Sequence, residues 1–226
     1  MNRTKIPYLD YTCNPITGCS GDGCAVRKRC WALAMAKRLK GRYGYPSDDP
    51  FKPTFHEDKL YQPFNVGKPS IVGLCFMGDF FDKGVLLSWQ QKVLRMVEGV
   101  SWHTFFILTK QPQNASQVLP NPYLDNLWIG VSVNQKRDIW RIDELKKVPA
   151  EVHAVSFEPL YEDMGNVDLK GIDWVIIGAQ TRPKLLPKRK WVHELASFAW
   201  NRTIPVFLKN NLGLKNPVQE FPRVAT

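Results

Sequence analysis

Short apolar runs that alternate with helix-like segments constrain the fold of this 226-residue chain more than any other feature. Seven runs have the length of strands, at residues 8–12, 70–77, 104–108, 127–133, 152–157, 174–177 and 204–208. Segments with apolar residues at helical spacing lie between several of them, at residues 87–97, 113–119, 138–148 and 190–200. Near-continuous apolar strands separated by helices are typical of a parallel sheet that is covered on both faces.

The pattern predicts one α/β domain over residues 1–226. Seven strands in repeated β-then-α order favour a complete or partial TIM-type (βα) barrel with parallel strands, and a doubly wound open sheet is the alternative. In both architectures the functional residues collect on the loops that follow the carboxyl ends of the strands.

Polar residues stand directly behind most of the apolar runs, where such a site is expected. They are Asp79, Thr109, Lys110, Asn134, Glu158, Gln180 and Lys209, and Gly78 stands directly before Asp79. Two cations at one sheet edge, Lys110 and Lys209, favour an anionic ligand. Asp79 has a structural alternative as the N-cap of the next helix, and Glu158 has one as an ion pair with either lysine. His56 lies in a loop before the second apolar run and is expected at the surface or at a helix cap, with a position at the site as the alternative.

Four of the five cysteines are Cys13, Cys19, Cys24 and Cys30, which lie within eighteen residues. Clustered thiols in a reducing compartment bind metal or do redox work more often than they form disulfides. Structural zinc sites usually use paired, closely spaced cysteines, whereas one loop containing Gly18, Gly21 and Gly23 is able to wrap an iron–sulfur cluster. The spacing therefore favours a cluster, with zinc or a disulfide network as alternatives. Cys75 lies inside an apolar run and is expected to be an inert core thiol.

The formal net charge is +10, and the basic residues are grouped. One group begins inside the cysteine segment, at Arg27, Lys28, Arg29, Lys37, Arg38, Lys40 and Arg42. A second comprises Arg182, Lys184, Lys188, Arg189 and Lys190. Such groups suit a nucleic acid or another polyanion, and a solvated basic surface is the alternative. The first residues lack the apolar core of a signal peptide, and no run approaches the roughly 20 apolar residues of a membrane span, so we expect a cytoplasmic protein without a membrane partner.

Several segments in chain order resemble a radical-SAM-like, three-cysteine domain family of unknown function that occurs in phage and prokaryotic genomes. The matching segments are Asn14-Pro15, Gly18-Cys19, Cys24, Cys30-Trp31, 55–57, 77–81, 108–110, 128–133, 156–160, 174–178 and 206–209. Cys13 stands where this family usually has tryptophan. The Cys19-x4-Cys24-x5-Cys30 spacing also differs from the C-x3-C-x2-C of the main radical SAM enzymes.

The resemblance implies that Cys19, Cys24 and Cys30 bind a [4Fe–4S] cluster, with Cys13 at most auxiliary. It also implies S-adenosylmethionine as a cofactor beside Gly78, Asp79 and Glu158, and a reductant as a partner for the cluster. The substrate-binding candidates are Lys110, Gln180, Lys209, Arg27, Lys28 and Arg29. Three functions stay open at this stage: a radical-SAM-like enzyme acting on a nucleic acid or nucleotide-derived substrate, a nucleic-acid-binding module with a structural metal, and a cluster protein that transfers electrons or sulfur without S-adenosylmethionine.

Overall fold

The structure is a computed structural model that describes residues 1–120 and 122–223. Its strands are β1 (Asn2–Arg3), β2 (Tyr11–Cys13), β3 (Ile16–Thr17), β4 (Thr54–Phe55), β5 (Ile71–Leu74), β6 (Thr104–Thr109), β7 (Leu127–Ser132), β8 (Val152–Phe157), β9 (Trp174–Ile177), β10 (Gln180–Thr181), β11 (Lys184–Leu185) and β12 (Val206–Leu208). Its α-helices are α1 (Trp31–Leu39), α2 (Glu57–Leu60), α3 (Leu87–Gly99), α4 (Trp140–Leu145) and α5 (Arg189–Trp200). Residues 121 and 224–226 of the predicted domain lie outside the described part of the chain.

Eight strands form one central sheet in the order β1-β2-β5-β6-β7-β8-β9-β12. All neighbours in this sheet pair in parallel except β1, which is antiparallel to β2. Each of the seven predicted apolar runs supplies one of the seven parallel strands. The predicted α/β fold with a parallel sheet is therefore confirmed.

The parallel strands follow one another across the sheet in chain order. A doubly wound sheet reverses its strand order at a switch point, and no reversal occurs among the described strands. The sheet is nevertheless open, because no pairing in the described part of the chain joins β12 to β1 or β2. Antiparallel segments cover both edges instead: β1 lies on β2, and Leu208 on β12 donates its N–H to the Val218 carbonyl at 2.8 Å. A covered edge is protected from further pairing, so a closed barrel is not seen.

The connections depart from the predicted helices in two places. The segment predicted helical at 113–119 forms a 3-10 helix over Pro112–Gln117, and that at 138–148 forms a 3-10 turn followed by the short α4. Pro149 disfavours helical geometry at Val148, so a helix over the whole predicted segment is not favoured. The other two predicted helices are confirmed as α3 and α5.

The two faces of the sheet carry different side chains, because neighbouring residues on a strand point to opposite faces. The outer face packs in a large aliphatic core with residues of the helices. The inner face carries Phe106, Trp128, Trp174 and Phe207, against which Tyr8 packs from the N-terminal segment. Tyr8 meets Trp174 edge to face, with ring centroids 5.7 Å apart and planes at 88°, the geometry that aromatic quadrupoles prefer. We call these five residues the aromatic layer.

In the described part of the chain, no helix has the length and apolarity needed to cross a membrane.

Candidate functional site

The inner face changes from aromatic to polar toward the carboxyl ends of the strands. The two-residue alternation from Trp128 and Ala154 places Ser132 and Ser156 on this face. Polar residues follow at the strand ends, so we define the polar rim as Lys110, Ser132, Asn134, Ser156, Glu158, Gln180 and Lys209. Asn134 Oδ1 and Ser156 Oγ are buried and have no hydrogen-bond partner among the described residues. A buried polar atom without a partner is costly, and two of them in one rim indicate a place for a bound polar group or water.

The cysteine loop, residues 18–30, lies at this same end of the sheet. Strand β2 ends at Cys13, and Gly18 then forms a parallel bridge with Gly78, which follows β5. The Gly18 N–H donates to the Met77 carbonyl at 2.9 Å. A Cβ added at Gly78 would stand 2.2 Å from the Gly18 oxygen, so only glycine permits this approach. The cysteine loop and Gly78 are therefore in contact through their backbones.

The three loop cysteines are free and half-buried. Cys19 Sγ lies 3.7 Å from Arg27 Nη1, and Cys30 Sγ accepts from the Leu33 N–H at 3.4 Å, at the start of α1. A guanidinium and a helix N-terminus both stabilise negative charge on sulfur. Burial, followed by the charge of Asp79, raises the pKa of Cys19 to about 12, and Arg27 opposes this shift. A metal bound here would therefore have to displace the Cys19 proton.

Cys19, Cys24 and Cys30 are residues of the type that binds an iron–sulfur cluster. They lie on one loop, but their thiols do not point to a common centre. Within residues 1–120 and 122–223, no group of three or more His, Cys, Asp or Glu side chains is close enough to hold a metal ion. Thiolate donors are what an iron–sulfur cluster requires, but these three do not converge as they stand. The set Cys19, Cys24 and Cys30 stays a prediction.

The other two cysteines belong to the core. Cys13 is buried at the end of β2, where its thiol donates to the Lys59 carbonyl at 3.4 Å. Burial raises the pKa of Cys13 to about 11 and raises that of Cys75 further. The expected inert role of Cys75 agrees with its place in the core.

Asp79 joins the ends of two strands through its buried carboxylate. Oδ1 accepts from Thr109 Oγ1 at 2.6 Å and from the Phe81 N–H at 3.1 Å, and Oδ2 accepts from the Lys110 N–H at 2.8 Å. Burial raises the pKa of Asp79, and these hydrogen bonds oppose the shift. It does not cap the following helix, because α3 begins at Leu87 with Leu86 in the N-cap position.

Asp82, which the sequence analysis missed, anchors the cysteine loop. Its Oδ2 accepts from the N–H and Oγ of Ser20, at 2.9 and 2.7 Å, and from Gln111 Nε2 at 2.7 Å. Its Oδ1 accepts from the Gly84 N–H at 2.9 Å. The available signal was a second carboxylate three residues after Asp79, in the same segment behind β5.

At the far side of the rim, Glu158, Lys209 and Gln180 all have partners within the protein. Glu158 forms an ion pair with Lys209, whose ammonium lies 5.3 Å from the centre of the Tyr8 ring. The structural alternative for Glu158 is therefore realised with Lys209. Gln180 Oε1 accepts from the Tyr161 hydroxyl at 2.6 Å, and its Nε2 donates to the Pro183 carbonyl at 2.7 Å.

The predicted basic residues divide into one that turns inward and others that face solvent. The Arg27 guanidinium lies 5.1 Å from the Phe51 ring centre and donates to the Cys19 carbonyl at 3.3 Å. Lys28 and Arg29 are exposed. All members of the second basic group are exposed as well, on the segment from the β10–β11 hairpin to the start of α5. This segment follows β9, so both groups lie at the carboxyl end of the sheet.

His56 is buried, so the expectation of a surface position is wrong. It occupies the N-cap position of α2 without a side-chain capping bond. Its Nε2 shares a 2.8 Å hydrogen bond with Thr17 Oγ1, immediately before the cysteine loop. Burial, followed by Lys59, lowers the pKa of His56 to about 4.

An open cavity of about 520 Å³ lies between the cysteine loop and the ends of β6 and β7. Asp22 and Gly23 of the loop line it together with Lys110. Of the predicted substrate-binding residues, Lys110 is the one that lines this cavity.

The sequence model of a family described as a protein of unknown function, DUF5131, matches residues 3–219. The chain belongs to this family. The DUF5131 match begins at the second residue of β1 and ends in the segment that covers β12, so it includes all seven parallel strands and the cysteine loop. No curated protein and no solved structure matches the chain. The family description names no activity, and the radical-SAM-like resemblance stays a prediction.

Proposed function

We propose that this DUF5131 protein is an iron–sulfur-cluster, radical-SAM-like enzyme that acts on a nucleic acid or a nucleotide-derived substrate. One observation supports it most: three free thiols lie on a single loop at the carboxyl end of a parallel sheet. That loop is tied to the sheet by the Gly18–Gly78 bridge and by Asp82. Cofactor sites of parallel α/β folds lie at this end.

The sheet supports the proposal as a partial TIM-type barrel. Its seven parallel strands keep chain order from β2 to β12, which is the strand order of a (βα) barrel. The aromatic layer fills the inner face as side chains fill a barrel interior. Covered edges at β1 and β12 take the place of closure.

Cys19, Cys24 and Cys30 would hold a [4Fe–4S] cluster, and the cluster with S-adenosylmethionine supplies reductive cleavage and hydrogen abstraction when bound. Arg27 compensates negative charge at Cys19. Gly78 allows close backbone approach, and Asp79 positions that backbone, since its carboxylate oxygens are engaged. The ion pair of Glu158 and Lys209 can hold a proton at the opposite side of the rim. The aromatic layer excludes water from beneath the site.

Nucleic acid or another polyanion is the proposed partner, together with a reductant for the cluster. The exposed Lys28 and Arg29 and the exposed second basic group support it, because both lie at the end of the sheet that carries the cysteine loop. Gln180 and Lys209 are engaged within the protein, and they would bind substrate only by exchanging these partners. We place the protein in the cytoplasm, where its five free cysteines stay reduced.

S-adenosylmethionine titration of the reconstituted, reduced protein, followed by electron paramagnetic resonance, tests the enzymatic assignment. A changed cluster signal with release of 5′-deoxyadenosine supports it. An unchanged cluster signal favours electron or sulfur transfer instead. Bound zinc without iron favours a nucleic-acid-binding module with a structural metal.

A further inference from the structure

The cavity beside the cysteine loop carries more positive than negative charge. Its lining includes four cations, Lys83, Lys110, Arg137 and Arg141, and two carboxylates, Asp22 and Asp138. Lys83 pairs with Asp22, and Arg141 pairs with Asp138 at 3.1 Å. Lys110 and Arg137 have no carboxylate partner in the part of the chain that the structure describes. The cavity therefore presents two uncompensated cations to whatever enters it.

Arg141 adds a buried donor that the fold leaves unused. Its guanidinium is 3% exposed, and its Nη1 donates to the Ser132 carbonyl at 2.8 Å. Its Nε has no partner among the described residues. Burial lowers the pKa of Arg141, whereas Asp138 and Cys24 raise it. A buried, unpartnered donor in the lining of a cationic cavity is what an oxygen-rich anion would satisfy.

Trp140 gives the same cavity a flat apolar surface. Its side chain is 45% exposed although it lines the cavity. Gln113, also exposed in this lining, offers an amide that can donate and accept. The volume, about 520 Å³, lies within the roughly 300–1,000 Å³ typical of small-ligand pockets. Divalent cations are repelled by the net charge, and inorganic phosphate alone would leave the indole unused.

We propose that this cavity binds a nucleotide phosphate, with the base against Trp140 and the phosphate at Lys110 and Arg137. Base–aromatic stacking and guanidinium–phosphate contacts are the two interactions that such a ligand provides together. The ligand is either a free nucleotide or one nucleotide of a single strand, since both present the same groups. This inference names the substrate class of the proposed enzyme. Only the role of the nucleotide as a substrate rests on the proposed function. Binding itself needs no cluster.

Calorimetric titration of the full chain with 5′-AMP, adenosine, ribose 5-phosphate and a single-stranded DNA pentanucleotide tests the proposal. We expect the affinity for 5′-AMP to exceed that for adenosine and for ribose 5-phosphate by about 10-fold or more. R137Q should weaken 5′-AMP binding about 10-fold or more through the lost charged contact. W140A should weaken it about 5- to 100-fold, and W140F should retain most of it.

R95Q is the matched control, because Arg95 is exposed on α3 and does not line the cavity. It removes the same charge and should leave the affinity unchanged. A pentanucleotide that displaces 5′-AMP and binds more tightly identifies a strand as the ligand, and 5′-AMP that resists displacement identifies the free nucleotide. Three results would overturn the proposal. They are equal affinities for 5′-AMP and adenosine, equal losses of 5′-AMP affinity in R137Q and R95Q, and no binding of 5′-AMP or the pentanucleotide at millimolar concentration.

The same titration on Cys24→Ala separates this inference from the proposed function. Iron content reports on the cluster, whereas 5′-AMP affinity reports on the cavity. Cys24→Ala should lose iron and keep its 5′-AMP affinity. A parent protein that binds 5′-AMP but takes up no iron on reconstitution keeps the nucleotide site and rejects the enzymatic proposal. A parent protein with normal iron content but no 5′-AMP affinity keeps the cluster and rejects the nucleotide site.

Discussion

The two ends of the sheet's inner face differ in packing and polarity. At the amino end, the aromatic layer packs edge to face and is almost fully buried. At the carboxyl end, the polar rim contains buried Asn134 and Ser156 atoms that have no partner within residues 1–120 and 122–223, and an open cavity lies beside it. Close packing stabilises a unique fold, whereas unsatisfied polar groups cost stability and are retained where they meet a ligand. One end thus supports the fold and the other is available for function.

Trp174→Ala gives the largest expected effect and tests whether the aromatic end supports the fold. Trp174 is fully buried and contacts all four other members of the aromatic layer. We expect the free energy of unfolding in urea to fall by about 3–5 kcal/mol, because a large cavity replaces the ring. Trp200→Ala, at a ring that is 36% exposed, should cost about 1 kcal/mol or less. Similar losses in both variants would mean that the aromatic layer stabilises the fold no more than an exposed ring does.

Asp82→Ala should cost less and should act on the cysteine loop. Its carboxylate accepts from Ser20 and Gln111, so its loss leaves the buried Gln111 amide and the partly buried Ser20 donors without this acceptor. We expect a loss of about 2–3 kcal/mol and faster amide hydrogen exchange in residues 19–24.

Asp163→Ala is the matched control. Asp163 accepts from the N–H two residues ahead, as Asp82 does, but it is exposed and makes no bond to the cysteine loop. Exchange in residues 19–24 that is equally fast in both variants would remove Asp82 as the anchor.

His56 predicts a pH dependence of stability at the base of the cysteine loop. Its pKa is about 4 in the folded chain and about 6.5 when unfolded, so the unfolded state binds more protons below pH 6.5. Stability is therefore full above pH 6.5 and falls as the pH drops toward 4, by at most about 3 kcal/mol in total. Burial and Lys59 lower this pKa, and Asp58 opposes them.

Urea denaturation from pH 7 to pH 4 measures the His56 contribution. His56→Gln should flatten the curve over this window, whereas His193→Gln should not, because His193 is exposed. An unchanged slope in His56→Gln would assign the acid sensitivity to other groups.

Much of the fold could be predicted from local patterns. Seven apolar runs yielded the seven parallel strands, because burial on both faces leaves a continuous apolar signal. The edges could not be predicted, since the cover on β12 comes from residues 218–220, far from β2 in the chain and without a strand-like pattern. The 3-10 helix at Pro112–Gln117 was missed because its spacing resembles that of an α-helix over so short a segment.

The sequence predicts where the residues of the candidate site lie better than it predicts which contacts they make. Residues behind the strands could be placed at one edge, and Lys110, Glu158 and Lys209 do follow their strands there. The sequence does not predict which carboxylate contacts the cysteine loop. Asp79 and Asp82 lie in the same segment, but the Asp79 side chain points to Thr109 and the Asp82 side chain points to Ser20. Arg141 and Asp138 pair within one short helical segment and reach the cavity only through the fold.

Iron and sulfide analysis of the anaerobically purified, reconstituted protein measures whether Cys19, Cys24 and Cys30 bind a [4Fe–4S] cluster. We expect about four irons and four sulfides per chain, with most of both lost in the Cys19→Ala, Cys24→Ala and Cys30→Ala variants. Folded Cys13→Ala and Cys75→Ala proteins should keep the cluster, because both thiols lie in the core. Full occupancy in Cys24→Ala, or zinc in place of iron in the parent protein, would contradict it.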